Sequence, residues 1–225
     1  MKQQALIKFI ALLAPLVFSC ISFSSWADEA ALYDLAPKGS AFLRIINLRE
    51  HSSDRPYNNR LTLRIQNKHI STDAYCSASE FIYVTPGEYR KKINGLQWEG
   101  TLEPDKAYAL VVEDNSVRLL KDYRAQDSRR AVLAVHNFSK LSQLDLETAT
   151  SARSVFENIP QGGSVARAIN PLKSAFSVIQ RTAGKKERIT VTDPMIFQSG
   201  VLSSLFICGD QSELVVHWAD RMGNR

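Results

Sequence analysis

Read with a period of two, this sequence yields strands almost everywhere, and read with the helical period it yields almost nothing. Leu61-Thr62-Leu63-Arg64-Ile65 alternates apolar and polar residues strictly, as do Tyr108, Leu110 and Val112 with their neighbours and Arg188-Ile189-Thr190-Val191-Thr192. Successive side chains of a strand point to opposite faces, so such runs bury one face and wet the other. Further short candidates lie at 41–48, 81–85, 117–120, 131–138, 173–181, 202–208 and 213–218. A chain of many short strands folds as an all-β sandwich or barrel.

Asn94-Gly95 is the strongest local signal. Both residues tolerate positive φ, as a type I′ turn requires, and its twist suits a two-residue hairpin between 89–93 and 96–102. The register follows: Ile93 pairs with Leu96, Lys91 with Trp98 and Tyr89 with Gly100 on the core face, while Lys92 faces Gln97 and Arg90 faces Glu99 on the other. Lys91 is the one charged member of the core face, and a cation over the Trp98 ring at a sheet edge accommodates it. Glu103-Pro104-Asp105-Lys106 then turns the chain, with proline presetting φ.

An internal echo sets the domain count. Ala41-Phe42-Leu43-Arg44-Ile45-Ile46-Asn47-Leu48 returns as Ala131-Val132-Leu133-Ala134-Val135-His136-Asn137-Phe138, each copy opening a series of strands. Between them, 123–130 is polar and charged, as a linker is. The expected architecture is two tandem Ig-like β-sandwich domains, 28–122 and 131–225, each with about seven short strands.

Residues 1–27 read as an export signal. Lys2 and Lys8 form a positive start, 9–18 is apolar but too short for a stable span, and Ser25-Trp26-Ala27 places small residues where a signal peptidase cuts. Cleavage is expected after Ala27, giving a periplasmic chain with no transmembrane segment. A lipoprotein with Cys20 at the attachment site is the rival, and bulky Phe18 fits it poorly. The signal's removal leaves Cys76 and Cys208. An oxidising compartment permits a disulfide between them, and two buried thiols are the reading the sequence favours over it.

The composition excludes several functions. A formal net charge of +5 is spread in doublets rather than basic runs, which argues against nucleic acid. There is no G-x-S-x-G; Gly162-Gly163-Ser164 lacks the second flanking glycine, and Gly209-Asp210-Gln211-Ser212 has Gln where an esterase block would carry its serine. The four histidines share no metal-ligand spacing, and no glycine loop cradles phosphate, so no metal, cofactor or catalytic residue is assigned. Trp98 with Lys91 gives one alternative, a platform for stacking on sugar rings, against core filling.

Several stretches resemble the AlgF family of periplasmic alginate O-acetylation proteins. The block from Ala31 through Tyr33-Asp34-Leu35-Ala36-Pro37-Lys38-Gly39-Ser40 to Arg44 is similar to the family's opening. Thr85-Pro86-Gly87-Glu88-Tyr89, Leu102-Glu103-Pro104-Asp105-Lys106-Ala107-Tyr108, the stretch 130–138 and Ile169-Asn170-Pro171 agree in the same order. The segment 51–59 looks like an extended first connection. The resemblance implies a non-catalytic accessory that binds periplasmic acetyltransferases and a membrane acyl-transfer protein, and it leaves open which exopolysaccharide is served. Partner contact is expected at strand edges and through Tyr33, Pro37, Lys38, Gly39 and Ser40, since an extended Pro-containing segment adds to a sheet edge with little ordering cost. The other readings are a carbohydrate-binding module or an acetyltransferase or esterase, in which Ser164 would be the nucleophile.

Overall fold

A computed structural model describes residues 36–49, 60–182 and 185–223, with side chains to 219. The export signal, Cys20, Tyr33 and the 51–59 connection lie outside the described residues.

Every regular element among the described residues is a strand. The first half contains β1 (Ala41–Asn47), β2 (Leu61–Ile65), β3 (Lys68–Thr72), β4 (Ser77–Ala78), β5 (Ile82–Val84), β6 (Gly87–Ile93), β7 (Leu96–Leu102), β8 (Ala107–Val112) and β9 (Val117–Asp122). The second contains β10 (Ala131–Ser139), β11 (Gln143–Thr148), β12 (Ser154–Pro160), β13 (Ser164–Ile169), β14 (Leu172–Ser174), β15 (Phe176–Thr182), β16 (Lys185–Val191), β17 (Met195–Phe197), β18 (Val201–Gly209) and β19 (Leu214–Gly223). These nine and ten described strands exceed the seven expected per half. The expected strand at 173–181 is broken at Ala175, because β14 pairs with β17 while β15 pairs with β11 and β16.

In each half, a strand of the repeated sequence lies parallel to a later one. β1 pairs in parallel with β8 and antiparallel with β4 and β5, giving the order β4-β1-β8-β9. β10 pairs in parallel with β18, giving β13-β10-β18-β19. The echo extends to side chains: buried Asn47 accepts from the Arg49 N–H and buried Asn137 from the Ser139 N–H, both at 3.1 Å. The asparagine two residues back thus satisfies the backbone where each strand ends.

The hairpin at Asn94-Gly95 forms with the expected register, Ile93 opposite Leu96, Lys91 opposite Trp98 and Tyr89 opposite Gly100. Both turn residues have positive φ, +48° and +86°, as a type I′ turn demands. A Cβ at Gly100 would lie 2.5 Å from Leu119 Cδ2 of β9, so that side chain would have to shift to admit one.

Alternation divides the buried residues into distinct cores. Leu43, Ile45, Tyr108, Leu110 and Val112 meet Leu61, Leu63, Ile93 and Trp98 from the β2–β3 and β6–β7 hairpins. Leu133, Val135, Leu205 and Ile207 meet Leu144, Leu146, Phe156 and Val178 from the sheet β12-β11-β15-β16. The opposite faces of the central strands are buried too: Ile46, Ala109 and Val111 pack on Phe206 and Cys208. The two parallel-paired sheets therefore stack on each other, and residues 36–225 group as one compact unit. Cys76, just before β4, and Cys208 in β18 are disulfide-bonded across this contact, with Cα atoms 5.9 Å apart and a sequence separation of 132.

Candidate functional site

The contact between the sheets encloses a polar cluster. On β1 the face opposite the first core carries Phe42, Arg44 and Ile46; on β10 the equivalent face carries Val132, Ala134, His136 and Phe138. Position for position in the repeat, Arg44 corresponds to Ala134 and Ile46 to His136, so the two copies carry their polar residues at different places. Arg44, 1% exposed, donates from Nε to Asp122 Oδ2 at 2.6 Å and from Nη2 to Ser204 Oγ at 3.0 Å. Its guanidinium lies 4.6 Å from the Phe81 ring centroid and 5.0 Å from that of Phe206, a cation held between aromatic faces. Asp122 closes β9, and its Oδ1 accepts from the Tyr123 N–H at 2.8 Å.

His136 makes the cluster resemble a catalytic set. Its Nδ1 lies 2.8 Å from Ser164 Oγ on β13, and its Nε2 lies 3.9 Å from Asp122 Oδ1. The serine, histidine and aspartate of an acyl-transfer site are thus neighbours, yet the wiring opposes that chemistry. Burial pushes the imidazole down to about 4, against the pull of Asp122 and with the push of Arg44. A general base serves best when its pKa is near the working pH. Asp122 Oδ2 is taken by Arg44, and His136 Nε2 has no hydrogen-bond partner. The ring is stacked on Phe206, centroids 4.8 Å apart. An oxyanion needs free N–H groups beside the serine. The N–H of Gly162 is given to Asn137 O at 2.7 Å and that of Gly163 to Pro160 O at 2.9 Å. Tyr123 adds a tie between the halves by donating its phenol to Ser164 O at 2.8 Å. The arrangement fixes one sheet on the other: a buried ion pair adds little net stability, but losing one partner strands the other charge.

The segment expected to meet partners is a turn at one end of the first half. Ser40 N–H and Oγ–H both donate to Pro37 O, at 3.1 and 2.7 Å, and Gly39 has a φ of +79°, the value a type II turn needs at its third residue. Ser40 O accepts from Asp105 N–H at 3.0 Å, and Lys106 O accepts from Phe42 N–H at 2.8 Å. This seats the turn against 103–106, so two stretches carrying the family resemblance meet in space. Pro37, Lys38, Glu103, Asp105 and Lys106 are exposed there, whereas Ser40 is buried. Trp98 is turned into the first core, 3% exposed, and stacks on Tyr89 with centroids 6.2 Å apart. Lys91 stands exposed on the hairpin.

The cluster of Arg44, Asp122, His136 and Ser164 had no sequence signature, because its members are scattered over 120 residues. Among the described residues no three His, Cys, Asp or Glu converge as metal ligands, and no helix is long and apolar enough to cross a membrane.

"Alginate biosynthesis protein AlgF" of Pseudomonas fluorescens is 27% identical over 218 residues, covering 96% of this chain and 94% of the relative. Its Pseudomonas aeruginosa counterpart is 27% identical over 202 residues, covering 89% and 88%. A solved structure of the C-terminal domain of AlgF from P. aeruginosa aligns at 23% identity with a TM-score of 0.35, covering 40% of this chain and 96% of that one. The family model described as "Alginate O-acetyl transferase AlgF" matches residues 15–200, and this all-β chain belongs to the AlgF family.

Proposed function

We propose that the protein is a non-catalytic accessory of alginate O-acetylation. After cleavage behind Ala27 it works in the periplasm, as two β-sandwich domains of 28–122 and 131–225 joined by 123–130. There it holds serine-esterase-type acetyltransferases near a membrane protein that passes acyl groups across. Family membership and the names of its relatives support the pathway. The observation that carries the accessory role is the wiring of Ser164, His136 and Asp122: the base is neutral and buried, the carboxylate is committed to Arg44, and the set ties two sheets together. The turn at 37–40, seated on 103–106, is the proposed partner contact, and Tyr33 is proposed to belong to the same contact. In a pull-down, Lys38→Glu with Lys106→Glu should fold as the parent does and lose retention of the acetyltransferases. Undiminished retention removes this end of the molecule from the reading.

A second reading, that the chain itself moves acetyl groups, has one observation in its favour, the 2.8 Å approach of Ser164 Oγ to His136 Nδ1. Purified protein should release no acetate from a chromogenic ester above the background of Ser164→Ala. Acetate release that disappears in Ser164→Ala would overturn the accessory role.

A further inference from the structure

The sheet β12-β11-β15-β16 ends at β16, which pairs only with β15 among the described strands. Pairing places Arg181 beside Lys186, Ile179 beside Arg188 and Ser177 beside Val191 on the face away from the second core, with Asp145 and Glu147 of β11 next in line. The charges on this face are layered. The Asp145 and Glu147 side chains are 0% and 14% exposed, while those of Arg181 and Lys186 above them are 31% and 45% exposed. Arg181 Nη2 donates to Asp145 Oδ2 at 2.5 Å and Lys186 Nζ to Glu147 Oε1 at 2.7 Å. The carboxylates beneath thus anchor the two cationic side chains on this face. Arg188, exposed beside them, makes no ion pair among the described residues, and Val191 leaves 46% of its surface open. A groove of about 280 Å³ runs here over Ser177 and Ile179, between Glu147, Ala152, Lys186 and Arg188.

We propose that the open edge and outer face of β16 dock an extended acidic segment of a partner protein. A strand added to this edge would lie beside Lys186, Arg188 and Val191 on this face, so it needs two acidic side chains followed by an apolar one. The same basic row repels a second copy of the edge, as charges on edge strands do, so it discriminates as well as attracts. The seven residues of β16 match a partner strand of about 23 Å. This inference rests on the accessory reading and gives it a second contact, carried by residues other than those at 37–40.

The test uses the mature protein and a fluorescent peptide in which glutamates alternate with threonines and a valine follows. Saturable binding is expected, falling about tenfold in Arg188→Glu, which leaves the pairs of Arg181 with Asp145 and Lys186 with Glu147 in place. Rising salt should weaken it, and a lysine-for-glutamate peptide should not bind. No saturable binding, equal binding of the lysine peptide, or indifference to Arg188→Glu overturns the proposal. So does alginate oligosaccharide binding through Arg188 with the peptide excluded, which would assign the face to the polymer. If the peptide fails while the acetyltransferases are still retained, only this inference falls; if no acetyltransferase is retained by the parent protein, the accessory reading falls.

Discussion

The two halves of the molecule share one frame and differ in what is laid over it. Each begins with a strand of the repeated sequence, pairs it in parallel with a later strand, and carries at or near that strand's end a buried asparagine that accepts from the backbone two residues on. Over this frame the first half places two separate hairpins, β2–β3 and β6–β7, whereas the second places the four-stranded sheet β12-β11-β15-β16. Hairpins that pair only internally are held to the molecule by side chains such as Leu63, Ile93 and Trp98, while a continuous sheet adds main-chain hydrogen bonds from strand to strand. A repeated frame can therefore be kept while its cover is remade, and the remade cover carries the layered charges of β11, β15 and β16.

The contact between the halves is where that comparison can be broken most strongly. Asp122→Asn removes the charge that compensates Arg44 in a dry site and should cost about 3–5 kcal/mol in denaturant unfolding, with both halves affected. Arg44→Met combined with Asp122→Leu should recover most of the loss, and a double variant as unstable as the single would show that the ion pair is not the cause. Next comes the disulfide: Cys76→Ser with Cys208→Ser frees a loop closed across 132 residues and should cost about 4 kcal/mol. It should also split unfolding into two steps, the hairpin-covered half first. A single transition would mean that packing alone couples the halves.

Acid sharpens the same contact. His136 is held neutral in the fold, its pKa lowered to about 4 by burial, while in the unfolded chain it titrates at the ordinary 6.5. Between these values the unfolded state binds the extra proton, so stability falls as pH drops from 6.5 toward 4, by about 3 kcal/mol for this group, and no further below. Melting curves of His136→Gln should lose that part of the acid sensitivity. The smallest effect is expected at Arg90→Ala, which breaks the exposed pair with Glu99 on the β6–β7 hairpin and should change stability by less than about 1 kcal/mol.

What could be read from sequence was what neighbours in sequence decide. Asn94-Gly95 set its hairpin's register pair by pair, and the repeated strands were visible from alternation and identity. β11, β12 and β13 were not read. Asp145 and Glu147 give β11 the look of a loop, and positive φ at Ala152 and Asn158 together with register shifts interrupts the period of two. The parallel partners β8 and β18 lie some 60 residues or more from β1 and β10, beyond any local signal. Asp122 adjoins the charged stretch 123–130, yet its side chain is fully buried, paired with Arg44 from 78 residues earlier.

The parallel pairings also govern when this polypeptide can acquire its shape. During synthesis β1 must wait for β8 and β10 for β18, and in the meantime each exposes an apolar ribbon to the surroundings. Cys76 likewise waits until residue 208 has been made, so a chain stopped short of β18 is left with an unmatched thiol and no seam along which its sheets can close.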